Sequence, residues 1–468
     1  MYPAQTSLIP VQIALARFLE TNGLITLFSN YPYWYLGTTP FRNLTGPIVP
    51  FLLVYLHKLF PYLSLLTIFY IILIITWLIS GIGIYLFIKA LGGEKQLRIS
   101  GVFFYWFGLI VPFLFRFNDG LYLIAFTTLP FILFFYINFL KKRNMINSIF
   151  LIVTLTMAIL INSLIIPTII FGIISVILSY SKWDRIEKIL QQSFFIFIFS
   201  LLIATIWYGY SYWLTLILGP SWAGKSLGSL VVWLLKTVPI ILALFIGLFS
   251  VKIFKTKNLL RNFCFYWLAI FVVLTFLRFL SDPDFFMDWS AYGVEIQFGM
   301  AIAIGLLIDR WIDNNRIKII ILYPLYLLLY TFIFNKYVIA TLQSDITKTV
   351  EYRIGSELVK VVKPDERVFL SGSTAFWFNA FFDISQVRGG IDQVSIDTNW
   401  RQVVWEVREG TNPQKAIDAL RKIGVNYLVV HTLVSSEYYH DFVYPEKFSK
   451  IGLEIIYDDG KDIIYKID

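Results

Sequence analysis

Few side chains in this sequence could do acid–base chemistry, and they gather in a handful of short polar segments. Asp119 stands in Arg116-Phe117-Asn118-Asp119-Gly120, between two apolar runs. A carboxylate held there could take a proton from an acceptor hydroxyl or bind a divalent cation. Asn-Asp-Gly is also ordinary turn chemistry. The segment Ser281–Glu295 carries Asp282, Asp284 and Asp288 together with Trp289 and Tyr292. Carboxylates hydrogen-bond sugar hydroxyls, and aromatic faces stack on the C–H surface of a sugar ring, so this pattern suits a glycan. Its oxygens equally suit a hard cation, and a plain solvated loop would need no ligand at all. Arg116 and Arg278 flank the same segments and could hold a phosphate or extend to lipid headgroups. Trp34 and Tyr35, in the aromatic stretch Asn30–Pro40, and His57 are further candidates for substrate contact. Ser221–Ser229 contains Gly-Lys-Ser but lacks the spacing of a phosphate-binding loop. His431 and His440 are too isolated to argue a metal site, and metal ligands stay unassigned.

Something other than a soluble core must position these groups. The chain has 468 residues, 58% hydrophobic and 15% charged, whereas water-soluble domains carry about 25% charged residues. Through Ser344 there are 24 Lys/Arg against 11 Asp/Glu, and from Asp345 onward 15 against 19. The formal charge of +9 is therefore +13 before that point and −4 after it. Because the basic excess sits in short connections between apolar segments, it argues for membrane orientation rather than nucleic-acid binding. The single cysteine, Cys264, excludes a disulfide framework.

Apolar segments long enough to span a bilayer fall at roughly 64–88, 99–116, 121–140, 146–162, 164–180, 190–213, 231–250, 262–280, 294–309 and 317–340. Asn162-Ser163 and Pro167 predict a break within 146–180. With that break, alternate loops separate by charge. One set holds Lys89/Lys95/Arg98, Lys141/Lys142/Arg143, Lys182/Arg185/Lys188, Lys252/Lys255/Lys257/Arg261 and Arg310/Arg316/Lys318. The other holds only Arg42, Lys58, Arg116, Lys225 and Arg278, with Arg17 near the start. The positive-inside rule assigns the first set to the cytoplasm. Glu94, Asp184, Glu187, Asp309 and Asp313 then lie inside, and Glu20, Asp119, Asp282, Asp284, Asp288 and Glu295 outside. No acid falls at mid-membrane depth, which disfavours a proton or cation pump.

Three regions follow. Residues 1–63 read as an outer-face loop rich in aromatics and Pro, with a short interfacial helix over Pro50–Pro61 and an Asn43-Leu44-Thr45 triplet that fits N-glycosylation. Residues 6–28 are apolar but contain Arg17 and Glu20, so an upstream helix is expected rather than a crossing there. Residues 64–344 form the transmembrane helical domain. Residues 345–468 form an extracytoplasmic α/β domain, with strands at Arg367–Ser371 and Val425–His431 and a helix over Pro413–Ile423. Leu453–Tyr457 and Asp462–Lys466 flank the turn Asp459-Gly460.

The chain resembles the integral membrane proteins described as 6-pyruvoyl-tetrahydropterin synthase-related, which look like GT-C-type glycosyltransferases. The residues that carry this are Trp34, Gly37, Pro40, Gly46-Pro47 and Pro50; Ser64–Leu91 with its Ile-Lys-Ala-Leu-Gly-Gly ending; Glu295-Ile296-Gln297; Val387-Arg388-Gly389-Gly390; and Ala419–Val430. The resemblance implies a GT-C-like polytopic α-helical membrane protein of about ten transmembrane helices with a C-terminal soluble α/β domain. It further implies transfer of sugar from a polyprenyl-phosphate-linked donor to a glycan acceptor at the outer leaflet. The first outer loop of such enzymes holds an essential acid near its start, whereas Met1–Leu8 holds none. Under this reading Asp119, then Asp284 or Asp288, is the catalytic base. Arg116 and Arg278 hold phosphate, and a divalent cation is a possible cofactor. The contrasting expectation is a non-catalytic descendant whose outer domain binds glycans or a protein partner, with a transporter third.

Overall fold

The computed structural model describes residues 8–38, 46–112, 120–180, 186–209, 258–281, 292–311, 316–338, 345–390 and 399–467. Contacts divide the chain into two compact units. One draws on the described parts of 1–44, 49–69 and 341–468, and the other on those of 45–48 and 70–340.

Five helices among the described residues are long and apolar enough to cross a membrane: Leu65–Ala90, Gly120–Lys142, Ser163–Tyr180, Glu187–Thr205 and Leu259–Phe276. Helices satisfy their own backbone hydrogen bonds, which lipid cannot do for them. Several other segments marked in the sequence are shorter or fall outside this set. Segment 99–116 begins as the 12-residue helix Lys95–Trp106, and 146–162 is the 17-residue helix Met145–Ile161. Segment 231–250 lies outside the described residues. Gly293–Trp311 and Arg316–Tyr337 are helices of 19 and 22 residues with charged side chains near their ends. The run 146–180 breaks at Asn162, whose side chain accepts the Leu164 N–H at 3.0 Å and starts a new turn.

In the helical unit, Leu259–Ser281 packs against Ile166–Tyr180 and Gly293–Trp311, while Gly293–Trp311 also runs along Lys95–Trp106. Trp267 is the wedge. It is fully buried, and a Cβ on Gly299 would stand 2.7 Å from its ring. A glycine inside a helix costs roughly 0.5–1 kcal/mol; here it lets the indole reach the facing backbone.

The other unit carries a five-stranded sheet in the order β2-β1-β3-β5-β4, with β1 Arg367–Phe369, β2 Ser385–Gln386, β3 Tyr427–His431, β4 Glu454–Asp458 and β5 Asp462–Lys466. β2, β1 and β3 run parallel, and β5 and β4 close the sheet as an antiparallel hairpin. The helices Gly372–Phe381 and Pro413–Lys422 lie in the crossovers. At the hairpin, Asp459 accepts the Lys461 and Asp462 N–H groups at 2.9 and 2.8 Å, and Gly460 takes the left-handed φ of 78° that the turn requires.

The N-terminal segment shares this unit's core. Residues 6–28 give the 15-residue helix Leu8–Asn22, which packs against Gly372–Phe381. At about 1.5 Å per residue it is too short to span a bilayer. Trp34 donates its indole N–H to Asn379 at 2.9 Å, and the Tyr33 carbonyl accepts the Gln386 N–H at 2.9 Å. A Cβ on Gly389 or Gly390 would come within 2.2 Å of Trp34 or 1.8 Å of Val11. The Gly-Gly pair is therefore the seat for those two side chains.

Carboxylates cap the start of the Gly372–Phe381 helix. Asp441 accepts from the Ser371 hydroxyl at 2.7 Å and the Gly372 N–H at 3.0 Å, and pairs with Arg388 and Arg408. Burial pulls its carboxyl up, but the Ser371 hydroxyl, both arginines and the Gly372 N–H outweigh it and hold it below its ordinary value. Glu437 accepts the N–H groups of Ser373, Tyr439 and His440. The Ser373 hydroxyl oxygen lies 2.8 Å from Glu437 and 2.5 Å from Glu351. One hydroxyl proton cannot serve two carboxylates, so one carboxyl must supply its own. Burial raises the Glu351 carboxyl above its ordinary value, while Glu437 receives three N–H donors.

A raised folded-state value contributes stability at low pH that is lost as pH rises through that value. Glu351→Gln, which keeps a donor toward Ser373, is expected to lift stability at pH 9 relative to pH 5. Glu437→Gln is expected to cost about 2–3 kcal/mol at both, since it weakens three charge-assisted bonds. Hydrogen exchange of the Gly372–Phe381 amides in the full chain reads both effects.

Candidate functional site

Asp119, Arg116, Asp284, Asp288 and Trp289 lie outside the described residues, and Arg278 is described only as part of the helix Leu259–Ser281. Three of the other candidates belong to the sheet-bearing unit. Trp34 is fully buried, with its N–H committed to Asn379. The Tyr35 ring lies 4.8 Å from that of Trp400. His57 Nδ1 lies 2.8 Å from the Glu20 carboxylate. Packing and internal hydrogen bonds account for each of them. In the same unit, buried His431 meets Asp462 at 2.7 Å. Among the described residues no three His, Cys, Asp or Glu side chains gather as a metal site would require.

Tyr292 belongs instead to a polar cluster in the helical unit. It precedes the helix Gly293–Trp311 with a left-handed φ of 57°, and its buried ring lies 5.5 Å from Phe271. One turn on is Glu295, 1% exposed. Two hydroxyls converge on one of its oxygens. Tyr122 donates to Glu295 Oε1, and Thr168 donates to the same atom at 2.6 Å. The Tyr122 and Thr168 oxygens are themselves 2.8 Å apart. The Glu295 carbonyl accepts the Trp267 indole N–H at 2.7 Å, and Gln297 donates its side-chain amide to the Phe104 carbonyl at 2.6 Å. Glu295 and Gln297 therefore tie Gly293–Trp311 to four other helices.

The second carboxyl oxygen, Glu295 Oε2, is buried without a hydrogen-bond partner. Placing a carboxyl inside an apolar bundle costs several kcal/mol unless its lone pairs are met. Here only Oε1 is met.

The sequence places Glu295 at the outer end of its span; the structure adds that it is buried inside the helical unit, in the first turn of Gly293–Trp311. Tyr122 and Thr168 carried no signal, since each sits in an apolar run 173 or 127 residues from its partner. The hydrogen bond from Tyr122 to Glu295 joins the first turns of Gly120–Phe126 and Gly293–Trp311.

No protein-family model matches the chain, and no curated protein matches it. Its fold is similar to that of solved membrane enzymes. One is an oligosaccharyltransferase of Archaeoglobus fulgidus in complex with zinc and sulfate, at TM-score 0.51 and 14% identity over 90% of this chain and 63% of that one. Another is the oligosaccharyltransferase AglB of Archaeoglobus fulgidus with an inhibitory peptide and a dolichol-phosphate, at TM-score 0.50 and 15% identity over 90% and 65%. A third is the arabinofuranosyltransferase AftD from Mycobacteria, at TM-score 0.55 and 13% identity over 100% of this chain and 38% of that one. The chain spans less than two thirds of the length of each. At these identities the likeness is one of fold, and the five long apolar helices suit a multi-pass membrane protein.

Tyr122→Phe and Thr168→Val are each expected to lower stability by about 1–3 kcal/mol, because each removes a donor from a buried carboxyl. Sharing one acceptor, they should be non-additive by at least about 0.5 kcal/mol in a double-mutant cycle of thermal unfolding in lipid. An additive cycle would mean that the two hydroxyls do not act on the same oxygen.

Proposed function

We propose that this protein is a GT-C-type glycosyltransferase that moves a sugar from a polyprenyl-phosphate-linked donor to a glycan acceptor at the outer leaflet. The observation that carries this reading is the likeness of nearly the whole chain to membrane glycosyltransferases. The sequence resemblance to 6-pyruvoyl-tetrahydropterin synthase-related membrane proteins points the same way. In this reading about ten helices cross the membrane, and the sheet-bearing unit lies on the outer side.

The reaction is displacement at the anomeric carbon. The acceptor hydroxyl oxygen forms the new C–O bond and gives its proton to a carboxylate, Asp119 first and Asp284 or Asp288 next. The bond to phosphate breaks with its electron pair, and polyprenyl phosphate leaves with its charge held by Arg116 or Arg278. Trp289 and Tyr292 supply aromatic surface beside the sugar. A non-catalytic, glycan-binding or partner-binding descendant is the second reading.

Purified protein in lipid, given radiolabelled polyprenyl-phosphate sugars and an envelope extract, is expected to transfer label. Asp119→Asn should reduce transfer by at least about a hundredfold, in the range of a lost general base. Absence of transfer by the unaltered protein would favour the binding reading. Orientation has its own test, because the one native cysteine is buried. Cysteine at exposed Asp365 should react with an impermeant maleimide in intact cells, and cysteine at exposed Lys142 should react only after lysis. The reverse pattern would invert the topology.

A further inference from the structure

Glu295 has a half-filled hydrogen-bonding capacity that the fold itself does not complete. Oε1 takes both available hydroxyl protons, from Tyr122 and Thr168. Oε2 is buried and takes none. The chemistry of the missing partner follows from the two states a carboxyl can adopt. Ionised, Oε2 needs a donor; protonated, it becomes a donor and needs an acceptor. An ammonium meets only the first need and a carbonyl only the second. A hydroxyl meets both. A divalent cation would demand several oxygens, whereas among the described residues Glu295 belongs to no group of three His, Cys, Asp or Glu side chains.

The surroundings fit a sugar hydroxyl. The carboxyl lies in the first turn of its helix, one turn from the Tyr292 ring, which packs on Phe271. Phe271 in turn packs on Trp267 at 4.6 Å. A carboxyl beside aromatic rings is a combination that grips a pyranose or furanose through an O–H bond and C–H contacts. We propose that Glu295 Oε2 binds and orients a sugar hydroxyl of the glycosyl substrate, with Tyr122 and Thr168 fixing the carboxyl from behind. Glu295 is then a substrate-binding residue distinct from the carboxylate that takes the acceptor's proton. This inference rests on the glycosyltransferase reading. Donor and acceptor sugars offer the same hydroxyl chemistry.

The test uses the full chain in lipid nanodiscs and three probes: a polyprenyl-phosphate hexose, the same polyprenyl phosphate without sugar, and a soluble methyl hexoside. Unaltered protein should bind the sugar-bearing lipid more tightly than the sugarless one. Glu295→Leu should lose about tenfold of that difference, one hydrogen bond's worth. Glu295→Gln, which still accepts from Tyr122 and Thr168 and offers an amide where Oε2 stood, should retain most of it. Equal binding of the sugarless lipid by all three proteins confirms that each is folded. Difference infrared spectra of unaltered protein provide a readout that does not depend on the leucine variant folding. The Glu295 carboxyl band should shift with the sugar lipid if the hydroxyl is the donor's, or with the methyl hexoside if it is the acceptor's. It should vanish in Glu295→Gln. An undiminished sugar preference in Glu295→Leu, or no band shift with either sugar, would overturn the assignment while leaving the glycosyltransferase reading intact. No preference for the sugar lipid in unaltered protein, with no response to the hexoside, would count against that reading itself.

Discussion

A carboxyl group cannot be left among apolar helices without hydrogen-bond partners, and the helical unit is arranged around meeting that requirement at Glu295. Tyr122 and Thr168 come from separate helices to reach one oxygen. Trp267, on a third, bonds the backbone of the same residue. Lipid offers these helices no hydrophobic drive toward one another, so close packing and buried polar contacts decide which faces meet. Glycine at 299 admits the Trp267 indole, and the indole locks the turn that carries Glu295. The remaining unmet oxygen sits at the end of this chain of dependence.

The sheet-bearing unit solves a similar problem with different means. Parallel strands leave helix N-termini pointing at the carboxyl edge of the sheet, where a ligand anion often binds. At Gly372–Phe381 the chain's own Asp441 and Glu437 occupy that position. A third carboxyl, Glu351, joins through the Ser373 hydroxyl. The N-terminus of Gly372–Phe381 is thereby closed to an anionic ligand. The two ends of the chain share this core, with Trp34 bonded to Asn379 across 345 residues.

Local signals along the chain set the places of several elements. Pro413 and Gly424 bracket a helix that the structure ends at Lys422. Asp459-Gly460 marks the hairpin, and Asn162 breaks the run that would otherwise read as one span. Each of these rests on backbone preferences within a few residues. What stayed illegible depends on contacts between distant segments. Nothing near Gly389-Gly390 says that Trp34 and Val11 will lie against it. Trp34 reads as an interfacial aromatic because its indole partner is hundreds of residues away. The burial of Glu295 is illegible for the same reason: its first-turn position is local, whereas burial is conferred by Tyr122, Thr168 and Trp267. The resemblance motifs Glu295-Ile296-Gln297 and Gly389-Gly390 acquire physical content only once these contacts are seen.

The most direct test of the account is a cryo-EM structure of the chain in a lipid nanodisc with a non-transferable polyprenyl-phosphonate hexose. The expected result places the hexose against the first turns of Gly120–Phe126 and Gly293–Trp311, with one sugar hydroxyl within about 3 Å of Glu295 Oε2. Sugar density bound elsewhere, with a protein group or nothing at Oε2, would contradict the proposed site.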